Sequence, residues 1–306
     1  MRPAWSVVLL TTLIGAAQGL FLVAYALDLT RRPPDGFVVV ACAAALVLLA
    51  LGLGASFFHL GRPERAWRAV TQWRTSWLSR EVIVLPAFMA LVALYGAAVY
   101  AGVDKPPTLW IGGAAALAAL ALFYCTGMIY ACLKFLQEWR TPLTVVNFTL
   151  LGLASGATLS LPVALAAWPQ FAGPLALGAF ALGALAYVLR IAAWVRNARL
   201  RPASTPQSAI GVAAPRVMQR AQGFMGGSFN TREFFHGKPA AVLTLARLCF
   251  LVLAFPVPAY FLGWSGGGEG AFAAAFVAQF AGLLADRWLF FAEARHPQNL
   301  YYQSMA

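Results

Sequence analysis

Charge is scarce along this chain: Asp, Glu, Lys and Arg make up 10% of its 306 residues, where a soluble globular domain carries about a quarter. That scarcity excludes a water-soluble enzyme. Histidine is rarer still, with three residues, His59, His236 and His296, none in the middle of an apolar run. A haem clamped between helices needs paired imidazoles facing one another, and the sequence offers no obvious pair. The four cysteines, Cys42, Cys125, Cys132 and Cys249, show no C-x-x-C spacing, so neither an iron-sulphur cluster nor a zinc site is expected in this chain. Of the ten acidic residues, only Asp286 interrupts an apolar stretch. A proton relay crossing the whole bilayer, which needs ionisable groups spread through its depth, therefore has no stepping stones.

What is abundant is apolar: 61% of the residues are hydrophobic, and uncharged runs occupy 3–27, 36–61, 82–103, 106–133, 141–189, 248–268 and 270–285. A hydrocarbon core of about 30 Å is crossed by a helix of about 20 residues, so most of these runs can span a bilayer. The run over 141–189 is long enough for two spans, divided at Trp168-Pro169-Gln170. None shows the alternation of a barrel strand. The fold expected is an all-α integral membrane bundle, one domain over 1–306, with eight transmembrane helices near 5–27, 37–58, 82–103, 108–133, 143–168, 171–195, 241–264 and 270–292. The first span runs straight into Asp28 and Arg31-Arg32 with no small-residue cleavage site, so it is expected to be retained. Gly152/Gly156 and Gly178 mark expected close helix contacts.

The formal charge of +12 is an orientation signal and not a nucleic-acid footprint. Assigning loops alternately to the two membrane faces puts every basic residue except Arg31, Arg32 and Lys105 on one face, 19 of the 22. The positive-inside rule makes that face cytoplasmic, in a bacterial inner membrane, with both termini on it. The stretch over 196–239 is basic, too polar to enter lipid and too long for a simple connector, which suggests a docking loop that orders on a partner.

One connection carries chemistry. Between the second and third spans the chain reads HLGRPERAWRAVTQWRTSWLSRE from His59 to Glu81. Pro63 can open a helix, and Ala66, Val70, Trp73 and Trp77 recur at helical spacing with arginines between them, which predicts a short interfacial helix. His59, Arg65 and Glu81 flank this segment and with Trp73 and Trp77 make the candidate binding set, while Arg287, Glu293, Arg295 and His296, which end the last span on the same face, could surround it. Such a set suits a quinone, whose carbonyl oxygens need donors and whose two-electron chemistry moves two protons. An alternative is that His59 caps a helix and the arginines bind lipid phosphate. Composition leaves both open. A transporter is the rival from another class, but Pro256 and Pro258 break span seven without a midplane charge beside them.

Eight spans, HLGRPERAW after the second, LSREV opening the third and RWLFFAEARHPQNLYY at the end resemble the membrane-anchor subunit of the dimethyl sulfoxide reductase family over essentially the whole chain. The resemblance implies an anchor, without a catalytic residue or metal of its own, that holds an iron-sulphur subunit and a molybdopterin catalytic subunit to the membrane. It implies electron exchange with ubiquinone or menaquinone, non-covalently bound, while molybdopterin and 4Fe-4S clusters belong to the partners. The family's quinol-site histidine falls on His59, its arginine on Arg65 and its carboxylate on Glu81. The Trp- and Arg-rich form of the motifs is more similar to the cytoplasmic sulfite dehydrogenase branch, which implies sulfite oxidation with quinone reduction; a quinol-oxidising reductase anchor is the alternative. GFMGGSFNTREFFHGK, in the loop after span six, has no match in the reductase anchor.

The charge distribution generates a topological test. A cytoplasm-dependent reporter fused after Ala306 is expected to be active, and a periplasm-dependent one silent. The reverse pattern would invert the orientation.

Overall fold

The computed structural model describes residues 1–218, 220, 233–263 and 268–300. Ten α-helices follow in order among the described residues: α1 (Trp5–Thr30), α2 (Asp35–Ser56), α3 (Trp77–Tyr100), α4 (Lys105–Ala131), α5 (Pro142–Ala167), α6 (Ala172–Ala198), the short α7 (Pro206–Ile210), α8 (Ala240–Leu253), α9 (Pro256–Gly263) and α10 (Glu269–Ala292). Counting α8 with α9 as one broken span, eight segments among the described residues are long and apolar enough to cross a membrane. In lipid each backbone amide must find its partner inside the segment, which is why these runs fold as helices.

α1 lies at the centre, packed on α2, α4, α5 and α10. Its tightest crossing is with α5, where Gly15-x-x-x-Gly19 meets Gly152-x-x-x-Gly156. A Cβ on Gly19 would collide with the Gly152 carbonyl, and one on Gly156 with the Leu20 amide and the Gly19 backbone. Lipid tails are as apolar as leucine, so helices gain little from burying leucine against each other and gain from backbone approach instead. Gly178, expected to behave likewise, has nothing within 4 Å of where its Cβ would be. It sits on an open part of α6.

Two polar ties hold opposite ends of the bundle. At the end carrying Arg31 and Arg32, the buried Asp28 accepts from Lys105 Nζ at 2.8 Å and from the Tyr95 hydroxyl at 2.6 Å, joining α1, α3 and α4. At the other end, Arg190 Nε of α6 donates to Asp286 Oδ1 of α10 at 2.6 Å, with both side chains buried. Arg196 continues this tie by donating to the Gln137 carbonyl at 3.0 Å, which fixes the turn between α4 and α5. Trp139 in that turn gives its indole N–H to the Phe290 carbonyl at 2.9 Å.

The broken seventh span follows from Pro256. Its ring cannot continue the α8 hydrogen-bond ladder, so α8 stops at Leu253 and α9 starts at Pro256. α10 covers the break: Gln279 Nε2 reaches the Ala254 carbonyl at 3.4 Å, and a Cβ on Gly282 would stand 2.6 Å from the Ala254 amide nitrogen.

The expected docking loop is described in part. It contains α7, capped by the reciprocal Thr205 and Ser208 hydrogen bonds, and its far end is held by the termini. Arg2 N–H donates to the Glu233 carbonyl and Asn299 Nδ2 to the Phe234 carbonyl. Most of the GFMGGSFNTREFFHGK stretch, from Gly223 to Arg232, and the closing Tyr301-Tyr302 lie outside the described residues.

The α1–α5 crossing generates a stability test. Gly156→Ala and Gly19→Ala force backbones apart, and each is expected to cost ~1–3 kcal/mol or more, seen as a lower thermal-aggregation midpoint in detergent. Gly178→Ala, with open space around it, is expected to leave that midpoint unchanged.

Candidate functional site

α2 gives way at Phe57–His59 to a tight 3₁₀ turn, and the chain then runs along the bundle end as a 3₁₀ segment over Pro63–Gln72. The residue spacing predicts one interfacial helix here, carrying both Trp73 and Trp77. Instead Trp73 ends the segment, a turn over 74–76 follows, and Trp77 is the first residue of α3, whose N-cap Ser76 accepts from the Ser79 amide. α3 therefore begins five residues earlier than expected. Glu81 lies more than a turn inside the helix and not at its mouth.

That shift separates the expected site residues. His59 and Arg65 are exposed. Among the described residues His59 makes no hydrogen bond, and Arg65 has only a loose pairing with its neighbour Glu64 at 3.9 Å. Their donors are available to a ligand. Glu81, by contrast, is 8% exposed and turns into the bundle, where its carboxylate accepts from Thr126 Oγ1 of α4 at 2.5 Å. No hydrogen bond or ion pair among the described residues joins His59, Arg65 and Glu81.

The tryptophans divide in the same way. Trp73 is 51% exposed, and Trp67, which its place in the sequence did not mark out, is 66% exposed. Phe57 and Phe58, in the turn that holds His59, are exposed as well. Trp77 packs edge-on against Tyr124 of α4, ring centroids 5.3 Å apart. Arg80, equally unmarked, carries the joint: its guanidinium covers Trp77 at 4.0 Å and donates to the Trp73 and Arg74 carbonyls, both at 2.9 Å. An arginine at the start of an apolar helix that can snorkel back to free carbonyls is the signal that sequence could have used.

The last-span residues do not form one site. Arg287 is 5% exposed and lies over the Phe148 ring at 3.6 Å. Glu293 pairs with Arg247 at 2.7 Å, and Arg295 is exposed. His296 stacks on Phe234 at 3.8 Å; burial and the nearby N-terminal ammonium push its pKa below the ordinary imidazole value. Asp286 does find a separate partner, Arg190, as the faces of adjacent helical residues require.

A cavity of about 10 Å³ adjoins Glu81, lined also by Gln18, Phe123, Thr126 and Phe148. It holds about one water and not a ring.

Residues 1–217 match the family model described as DMSO reductase anchor subunit (DmsC). The chain is also 52% identical, over 330 aligned positions covering 100% of both chains, to a subunit of a sulfite dehydrogenase from Allochromatium vinosum. The family match ends inside the loop after α6, shortly before the stretch for which the reductase anchor offered no counterpart. With a match over more than half of its length and a relative this similar end to end, the chain belongs to the family of DMSO reductase anchor subunits, multi-pass membrane proteins.

Proposed function

We propose that this chain is the quinone-binding anchor of a sulfite-oxidising molybdenum enzyme of the bacterial inner membrane. Electrons reach it from an iron-sulphur subunit and leave on quinone. The sulfite assignment rests on full-length similarity to the Allochromatium vinosum protein. The quinone assignment is carried by one observation: His59 and Arg65, with no firm partner among the described residues, stand exposed in a short stretch of chain whose Phe57, Phe58, Trp67 and Trp73 are exposed too, directly after a span whose neighbour buries a carboxylate. Molybdopterin and the 4Fe-4S clusters would belong to the partner subunits and deliver electrons one at a time to the cytoplasmic face.

At this site His59 and Arg65 donate to a quinone carbonyl oxygen, and Trp73 and Trp67 offer faces for the ring. Donors aimed at oxygens on which charge develops stabilise reduction, and an imidazole can pass a proton near neutral pH. Glu81 acts from below as the proton store. Trp77 positions it by packing the start of α3 on α4. Both termini and the 196–239 loop face the cytoplasm, as the basic-residue asymmetry supports, so the peripheral subunits dock where electrons are needed. Arg287, Glu293, Arg295 and His296 frame that same end without touching the ring. The match to the reductase anchor family supports a second reading, in which the same residues oxidise quinol and electrons flow outward to the partner.

The test uses membranes carrying the chain with its peripheral partners. His59→Ala is expected to lower sulfite-to-quinone turnover by roughly 100-fold or more, while sulfite oxidation by ferricyanide, which bypasses the membrane, persists. Arg65→Ala is expected chiefly to raise the KM for quinone by about tenfold, the loss of one hydrogen bond to a charged group. Wild-type quinone turnover in an assembled His59→Ala complex would place the site elsewhere.

A further inference from the structure

Glu81 turns into the bundle, where it shares a small cavity with the polar Thr11, Gln18 and Thr126 and with the apolar Ile14, Phe123 and Phe148. Its cavity, between α1, α3, α4 and α5, is closed on one side by Phe148. On the other side of Phe148 lies a second cavity, also about 10 Å³, between α5, α6 and α10, with Glu138, Asn147, Arg190 and Arg287 in its walls. Glu138 is half-buried in the turn after α4 and leads to the bundle end.

The groups around this second cavity are under-satisfied. Asn147 Oδ1 in its wall, and Oδ2 of Asp286, the partner of Arg190, are buried and accept no hydrogen bond among the described residues. The Arg287 guanidinium rests on Phe148 and has no acceptor among the described residues. Buried donors and acceptors around a space of this size are matched by water, which supplies both functions. An anion would answer Arg287 and leave the two acceptor oxygens unmet. The two arginines are balanced by Asp286 and Glu138, so the cluster holds no net charge to repel a proton.

Tyr130 of α4 stands at the partition. Its ring stacks on Phe148 with centroids 5.4 Å apart and planes at 22°. Its hydroxyl makes no hydrogen bond among the described residues, and the Phe148 ring on which it stacks lines both the cavity of Glu81 and that of Arg287. A phenol can donate one proton while accepting another.

We propose that protons for the quinone enter at Glu138, cross the hydrated Asn147–Arg287 cavity and pass through the Tyr130 hydroxyl to Glu81. This rests on the quinone reading above. Quinone takes up two electrons from the partner's clusters and two protons to become quinol. Each proton that leaves Glu81 is replaced by one handed on by Tyr130, which receives another from water in the second cavity, so both side chains end as they began. Glu81 thereby recharges from the cytoplasmic end without opening the quinone surface to water.

The experiment uses membranes with the assembled complex, sulfite as donor and decylubiquinone as acceptor, normalised to the ferricyanide activity of the peripheral subunits. Tyr130→Phe keeps the stacked ring and removes only the relay atom. It is expected to lower kcat by about tenfold or more, raise the solvent deuterium isotope effect on kcat and leave the KM for decylubiquinone unchanged. Asn147→Leu, acting from the other cavity, is expected to do the same and decides the matter should Tyr130→Phe fail to assemble. Wild-type kcat and isotope effect in these variants, with Glu81→Gln slow, would overturn the route and leave the quinone site standing. Wild-type turnover in Glu81→Gln would overturn the site and the route together.

Discussion

The backbone crossing of α1 and α5 is the constraint on which the rest of the bundle depends. Because Gly15, Gly19, Gly152 and Gly156 let the two helices touch main chain to main chain, α1 can sit in the middle with four helices around it. The same crossing brings Gly15 and Gln18 of α1 and Phe148 of α5 up to Glu81, which sits on α3. Side chains at these glycines would widen the crossing and open the small polar space beside the carboxylate. In lipid, where leucine gains nothing by facing leucine, backbone proximity decides which residues share an interior.

The ion pairs among the described residues lie at the two ends of this frame, and the ends differ. At one, Asp28, Lys105 and Tyr95 close a compact knot with its groups matched. At the other, Arg190 and Asp286 pair through a single bond, while Asn147 Oδ1 and the second Asp286 oxygen have no hydrogen-bond partner among the described residues and Arg287 rests on the Phe148 ring. A buried charge left without a partner costs several kcal/mol, so an incompletely matched cluster needs a compensating role. Hydration beneath the docking face is that role in our reading, and it coincides with the end that carries most of the basic residues.

The site has a division of labour that a three-residue list hides. His59 belongs to the 3₁₀ turn that ends α2 and Arg65 to the 3₁₀ segment that follows, and Arg80 fastens the end of that segment to α3 through the Trp73 and Arg74 carbonyls. Glu81 belongs to the rigid interior and is oriented by Thr126. In our reading, donors for a ring and a store for protons are thus built on different elements, the first exposed and the second buried.

The sequence by itself determined the number of spans, their approximate limits, the face that carries the basic residues, the break at Pro256 and the family, because bilayer thickness, charge cost and proline geometry act on local stretches of chain. It also marked His59, Arg65 and Glu81 as residues of interest. Only the tertiary structure decided that Ser76 starts α3 early and so buries Glu81, that Trp77 belongs to that helix, that Gly178 packs against nothing, and that Asp286 takes Arg190 while Arg287 takes the Phe148 ring. These outcomes depend on which faces of distant helices meet. Periodicity fixes a face relative to its own helix, but the neighbour it meets is chosen by the packing of the whole bundle.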